Sequence, residues 1–190
     1  MFLDEKGEKI SKSVGNGISV DEWLKYASPE SLSLYMYQKP KSAKKLHFDV
    51  IPKTVDDYIS HYNSYSNLDN DKKLDSPIWH IHLGNPKKFK TDINFNTLTN
   101  LVSVSNSSDK KVIWSFINKY DKKLNPISNP EFDNLIDFAL NYYNDFILPS
   151  KEYKKIDSTN ETIFLEIINV LENEISVNSS AEDIQTLLYE

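Results

Sequence analysis

The residue types best suited to chemistry sit close together near the start of the sequence, in Gly7-Glu8-Lys9-Ile10-Ser11-Lys12-Ser13-Val14-Gly15-Asn16-Gly17. Two ammonium groups (Lys9, Lys12), two hydroxyls (Ser11, Ser13) and flanking glycines suit a loop that holds a phosphate chain. An ammonium near 4 Å from a phosphate oxygen gains about 1 kcal/mol in water and several times that in a drier site. Glycine lets backbone approach a ligand closely, and backbone N–H groups and serine hydroxyls add donors. The phosphate loop pattern G-x-x-x-x-G-K-[ST] is absent. The residues alone therefore leave two readings open, an anion-binding loop and a solvated basic turn.

Other groupings compete less well. His80-x-His82 would share a face on a strand, and imidazole suits zinc. The sequence has no cysteine and no third ligand nearby, and Trp79, Ile81 and Leu83 interleave, so two half-buried polar positions are expected instead of a metal site. Asp56 and Asp57 point apart on a helix and do not easily share a substrate. The run Asp69-Asn70-Asp71-Lys72-Lys73 lacks the glycine and closing glutamate of a calcium loop. Lys39, Lys41, Lys44 and Lys45, interleaved with Tyr35, Tyr37 and His47, suit a nucleic-acid backbone, because lysine neutralises phosphate and aromatic rings stack on bases. Their other reading is a solvated turn around Pro40. Trp114, Tyr120, Tyr142 and Tyr143 could stack on bases too, but at helical spacing they fit a core.

The elements that must position these residues read as helices. Ser19 and Glu22 form a capping box that opens a short helix with Trp23 and Leu24. Ser28-Pro29 starts a second helix, which stops before Pro40. A third begins near Ile51-Pro52 and runs through Tyr62. Asn129-Pro130 repeats the cap-plus-proline signature. Phe132, Leu135, Ile136, Ala139, Leu140, Tyr143 and Phe146 then follow at three- and four-residue steps. Ser158-x-x-Glu161 predicts a cap for the run Ile163 to Ile175, and Ser180 predicts one for a last helix. Phe2-Leu3 and Lys9-Ile10 flank a turn and predict a hairpin. Loops are expected at 63–76, 125–129 and 149–157. The fold class is mainly α.

Composition narrows the chemistry. The 190 residues contain no cysteine, and all 22 basic residues are lysine. Disulfides, thiolate metal sites and guanidinium clamps are excluded. Residues 1–55 carry nine lysines against seven acids, while the rest carry thirteen against twenty-one. A polyanion would meet the N-terminal third. No apolar run reaches the roughly 20 residues of a membrane helix, so a cytoplasmic protein without membrane contact is expected.

Lys9-Ile10-Ser11-Lys12-Ser13 resembles the KMSKS signature of class I aminoacyl-tRNA synthetases, with Ile for Met, and Val14-Gly15-Asn16 matches its usual continuation. Tyr26 to Leu32, Tyr37 to Leu46, Phe48 to Pro52, Asp56 to Tyr58 and Trp79 to His82 resemble the class I lysyl-tRNA synthetase family. The resemblance implies a loop closing over ATP, with Lys12 the main contact, Lys9 a lesser one, and Ser11 and Ser13 beside them. It implies ATP with Mg2+ as substrate and no other cofactor. The expected partners are tRNA-Lys and lysine, with tRNA contacts at Lys39, Lys41, Lys44 and Lys45. The expected organisation is a KMSKS loop with stem-contact helices at 1–62, a linker at 63–76, and part of a helical-cage anticodon-binding domain at 77–190. No HIGH-like motif occurs, so a C-terminal fragment of a synthetase, inactive alone, is expected. Its catalytic half could be encoded separately. A stand-alone tRNA-binding module and a decayed fragment are the alternatives.

Overall fold

The computed structural model describes residues 1–11, 14–86, 91–152, 157–176, 179, 184 and 187. It is mainly α, and the chain divides into two compact units, Met1–Ser150 and Lys151–Glu190. In the first, α1 (Val20–Trp23) opens on the expected box: the Glu22 N–H donates to Ser19 Oγ at 3.2 Å, and the Ser19 N–H to Glu22 Oε2 at 2.7 Å. Next comes α2 (Pro29–Tyr37), with Ser28 accepting from the Ser31 N–H and proline in the first turn. α3 (Ile51–Ser66), α4 (Asn70–Lys73) and α5 (Pro77–Ile81) follow.

The expected loop at 63–76 is mostly helical. α3 continues four residues past Tyr62 because its core stripe extends to Tyr65, which is buried. α4 then occupies four of the ten residues that remain. A break there would also divide a shared core. Ile51, Val55 and Ile59 of α3 pack in one cluster with Phe95, Leu98 and Val102 of α6 (Phe95–Ser105), Ile113 and Ile117 of α7 (Lys110–Tyr120), and Phe132 and Ile136 of α8 (Pro130–Tyr142). Burying each such side chain stabilises the fold by about 1.5–3 kcal/mol. Residues on both sides of 63–76 therefore belong to one packed body.

Polar contacts set the register of these helices. Asn94 caps α6, accepting from the Thr97 N–H at 2.7 Å, and Asp56 of α3 accepts from the Phe95 N–H at 2.6 Å and from Asn96 Nδ2 at 2.6 Å. Burial raises the Asp56 pKa, and these bonds only partly offset it. Lys110 of α7 donates to Asp133 and Asp137 of α8, each at 2.7 Å. The Asn129 side chain, expected as the cap of α8, instead accepts from the Asn125 N–H at 3.1 Å and closes the loop before it. A π-type turn, Tyr143–Ile147, continues α8.

In the second unit α9 spans Ser158–Glu174. Its cap is Asp157, which accepts from the Asn160 N–H at 2.8 Å, not Ser158. Both types cap well, and the helix starts one residue earlier than the pattern suggests. The helix expected after Ser180 falls outside the described residues except at isolated positions.

Candidate functional site

The expected hairpin forms. Leu3 bridges Lys9 in antiparallel fashion, the Ile10 N–H donates to the Phe2 carbonyl at 3.0 Å, and Gly7 turns the chain at φ +82°. A contact the sequence did not suggest fixes its other edge. β1 (Phe2–Leu3) pairs in parallel with β2 (Lys44–Lys45), where the Lys44 N–H donates to the Met1 carbonyl at 3.0 Å and the Leu46 N–H to Leu3 at 2.8 Å. The phosphate-type loop and the lysine cluster thus share one small ladder.

Asp4, buried, organises the base of the loop. Its Oδ1 accepts from the N–H groups of Lys6 (3.0 Å) and Glu8 (2.8 Å), and its Oδ2 accepts from Asn16 Nδ2 at 2.7 Å. Asn16 in turn accepts from the Ser11 N–H at 2.9 Å. The two ends of the loop are therefore clasped through a pair of side chains, and the Asn16 bond, then the Glu8 N–H, hold the Asp4 carboxyl below its ordinary pKa. Gly15 supplies φ +66°. Gly17 leaves room for Ile10: a Cβ there would lie 2.6 Å from Ile10 Cγ2. The Val14 and Gly15 N–H groups both donate to the Ser11 carbonyl, making a tight turn. Lys9 is exposed. Lys12 and Ser13 lie outside the described residues.

The second lysine group is split by the structure. Lys39 and Lys41 are exposed. Lys44 instead donates to the Tyr35 and Gln38 carbonyls at the C-terminal end of α2, and its Nζ sits 4.8 Å from the Tyr35 ring centroid. Cations at such helix ends are stabilising. Burial, then the charge of Lys39, lowers the Lys44 pKa. Lys45 pairs with Asp49 at 2.6 Å. Lys39 holds a left-handed φ of +47°, which turns the chain out of α2.

Among the remaining sequence candidates, the histidines sit on and just after α5, a helical turn and not a strand; Ser76-Pro77 is its capping signature. The His80 ring stacks against Tyr37, and His82 Nε2 lies 3.1 Å from the Tyr58 hydroxyl. Among the described residues no group of acids and histidines could hold a metal ion. Trp114 and Tyr143 are core, Trp114 donating to Asp133 at 2.8 Å, whereas Tyr120 is 84% exposed.

The comparisons decide the family. The family described as tRNA synthetases class I (K) matches residues 1–85, the stretch that holds the hairpin, the loop and the lysine group. The lysine–tRNA ligase of Rickettsia africae is 49% identical over all of this chain and 37% of its own length. That of Roseobacter denitrificans is 51% identical over 81% of this chain and 29% of its own length. The chain belongs to the class I lysyl-tRNA synthetases. It spans 37% and 29% of the lengths of these two relatives. No solved structure matches it. As a member of this family it places Lys9-Ile10-Ser11, the start of the KMSKS-like motif, at the mouth of the Asp4–Asn16 clasp. No described helix is long and apolar enough to cross a membrane.

Proposed function

We propose that the chain supplies the ATP-contacting loop and an RNA-contacting surface of a lysine–tRNA ligase. The observation that carries this reading is the KMSKS-like motif inside a chain 49% identical to lysine–tRNA ligases throughout. In the reaction, a lysine carboxylate oxygen attacks the α-phosphorus of ATP, bound with Mg2+. The bond to the bridging oxygen breaks, pyrophosphate leaves, and lysyl-adenylate remains. The lysyl group then passes to the terminal ribose of tRNA-Lys, releasing AMP. Lys12, seconded by Lys9, neutralises the charge that builds on the leaving pyrophosphate. Ser11 and Ser13 add hydroxyl donors, and the clasp keeps the loop ends fixed so that little reorganisation is needed. The lysine pocket and a HIGH-like motif reside elsewhere in the enzyme, in the same chain or a separately encoded half, and these 190 residues alone would form no adenylate.

Lys39 and Lys41 contact the tRNA backbone, and Lys44 serves by holding the turn that presents them. In the complete synthetase, Lys12→Ala should slow tRNA-supported pyrophosphate exchange by ~10²–10³ while changing the tRNA Kd only a few-fold. An unchanged exchange rate overturns the catalytic role. Lys39→Ala with Lys41→Ala should lower the salt slope of tRNA binding by about two. If the slope holds while exchange falls, the chain acts on ATP alone. If it falls while exchange holds, the chain is a tRNA-binding module.

A further inference from the structure

Two rings from different helices meet in solvent beside the lysine turn. Tyr37, the last residue of α2, and His80 of α5 stack with centroids 5.8 Å apart and planes 16° from parallel. Neither ring is there to fill a core: Tyr37 is 49% exposed, and His80 is exposed too. Among the described residues, neither the Tyr37 hydroxyl nor a His80 ring nitrogen has a hydrogen-bond partner.

The surroundings of the pair are fixed. Gln38 Nε2 lies 3.0 Å from His61 Nε2 of α3, and Lys44 donates to the Tyr35 and Gln38 carbonyls. From the other side Ile78 anchors α5, fully buried in a cluster with Tyr62 and Tyr65 of α3. The rings are thus held in place before a partner arrives, which lowers the entropy lost on binding. Lys39 follows Tyr37 by two residues, so its Cα lies within about 7 Å of that of Tyr37. Lys39 and Lys41 are both exposed, and among the described residues neither has an ion-pair partner.

Rings and charges together select the occupant. Open aromatic faces suit a planar group, and ammonium groups a few residues away suit phosphates. Acidic side chains of a peptide would satisfy the lysines and leave the rings in water. Base-paired RNA would do the same, because its bases are stacked within the helix. A strand with an unpaired base meets both demands.

We propose that Tyr37 and His80 form a platform on which an unpaired RNA base stacks, while Lys39 and Lys41 hold the phosphates beside it. The platform rests on the RNA-contacting reading given above and adds to it the part of the RNA that is held, a base outside a helix.

The 190-residue protein is titrated with single-stranded hexaadenylate and with the same strand lacking its bases, following the ring resonances of Tyr37 and His80. Hexaadenylate should bind at least about fivefold tighter, the least that one base stacked on an aromatic ring is worth. Tyr37→Ala and His80→Ala should each remove most of that margin and leave the affinity for the baseless strand unchanged. His80→Phe, which keeps the stack, should retain it. Equal binding of the two strands overturns the platform. So does an unaltered margin in a double Tyr37→Ala, His80→Ala variant that circular dichroism shows to be folded. The reading beneath it fails separately: an unchanged salt slope for both strands in Lys39→Ala with Lys41→Ala overturns the phosphate contacts even where the base margin persists.

Discussion

The hairpin with its loop, residues 1–17, and the helical body, residues 51–66 and 95–143, are built on different principles. The body buries Ile51, Phe95, Leu98, Ile113 and Ile136 completely. Its cohesion is apolar and non-directional, so it tolerates small shifts and resists loss of volume. The hairpin buries one carboxylate, Asp4, and is shaped by directional bonds from Lys6, Glu8 and Asn16. Lys9 on this loop is exposed, and the loop's form comes from hydrogen bonds, not from burial of its lysine. Backbone choice differs likewise. The loop places glycine at its positive φ angles, Gly7 and Gly15, whereas the body puts Asn106 there, and the segment between carries Leu83 beside Gly84.

Three substitutions would break or sharpen this contrast. Ile136→Ala should destabilise the protein by about 2–5 kcal/mol in urea unfolding, because a fully buried side chain leaves a cavity. A loss below about 1 kcal/mol would mean that the body is not held by its core. Leu83→Gly should go the other way and stabilise by roughly 0.5–1 kcal/mol, since the side chain is 92% exposed and its φ of +51° is strained for leucine. Thermal unfolding reads the sign. Asn16→Ala should change global stability least, by under about 1 kcal/mol, yet speed proteolysis within 9–17. It should also raise the Asp4 pKa, since the Asn16 bond is the largest cause of its depression. A depressed carboxyl stabilises the fold above its ordinary pKa and loses that contribution as pH falls through the folded value. The variant should therefore lose less stability on acidification. A carboxyl-carbon NMR titration checks this, and an unmoved Asp4 midpoint would show the clasp to be idle.

Much of this was legible in the residues, and the parts that were not share a cause. The Ser19–Glu22 box, the Ser28-Pro29 start, the hairpin and the apolar stripe of α8 are local, and local patterns carry their own physics. The KMSKS-like run was readable because its residue types and order lie within five consecutive positions. The β1–β2 pairing was not, since two residues have no periodicity and the partners lie 42 positions apart. The inward turn of Lys44 depends on where the end of α2 falls in space, which lysine spacing does not encode. Asp56 reads as a solvated acid beside Asp57 until α6 arrives to be capped. The Ser76-Pro77 signature was present and announces α5, but alternation of Trp79, Ile81 and Leu83 spoke for a strand. Tyr37 and His80 lie on separate helices and stack only through packing.

The parallel ladder also has a consequence in time. Phe2 finds its partner only once Lys44 exists, 42 residues later in synthesis. At roughly 5–20 residues per second that is a delay of about 2–8 s. During it, the hairpin must stand on its own few bonds. The loop, made before α2, is thus completed on that edge only after the helix that ends at Tyr37 and the turn behind it have been laid down.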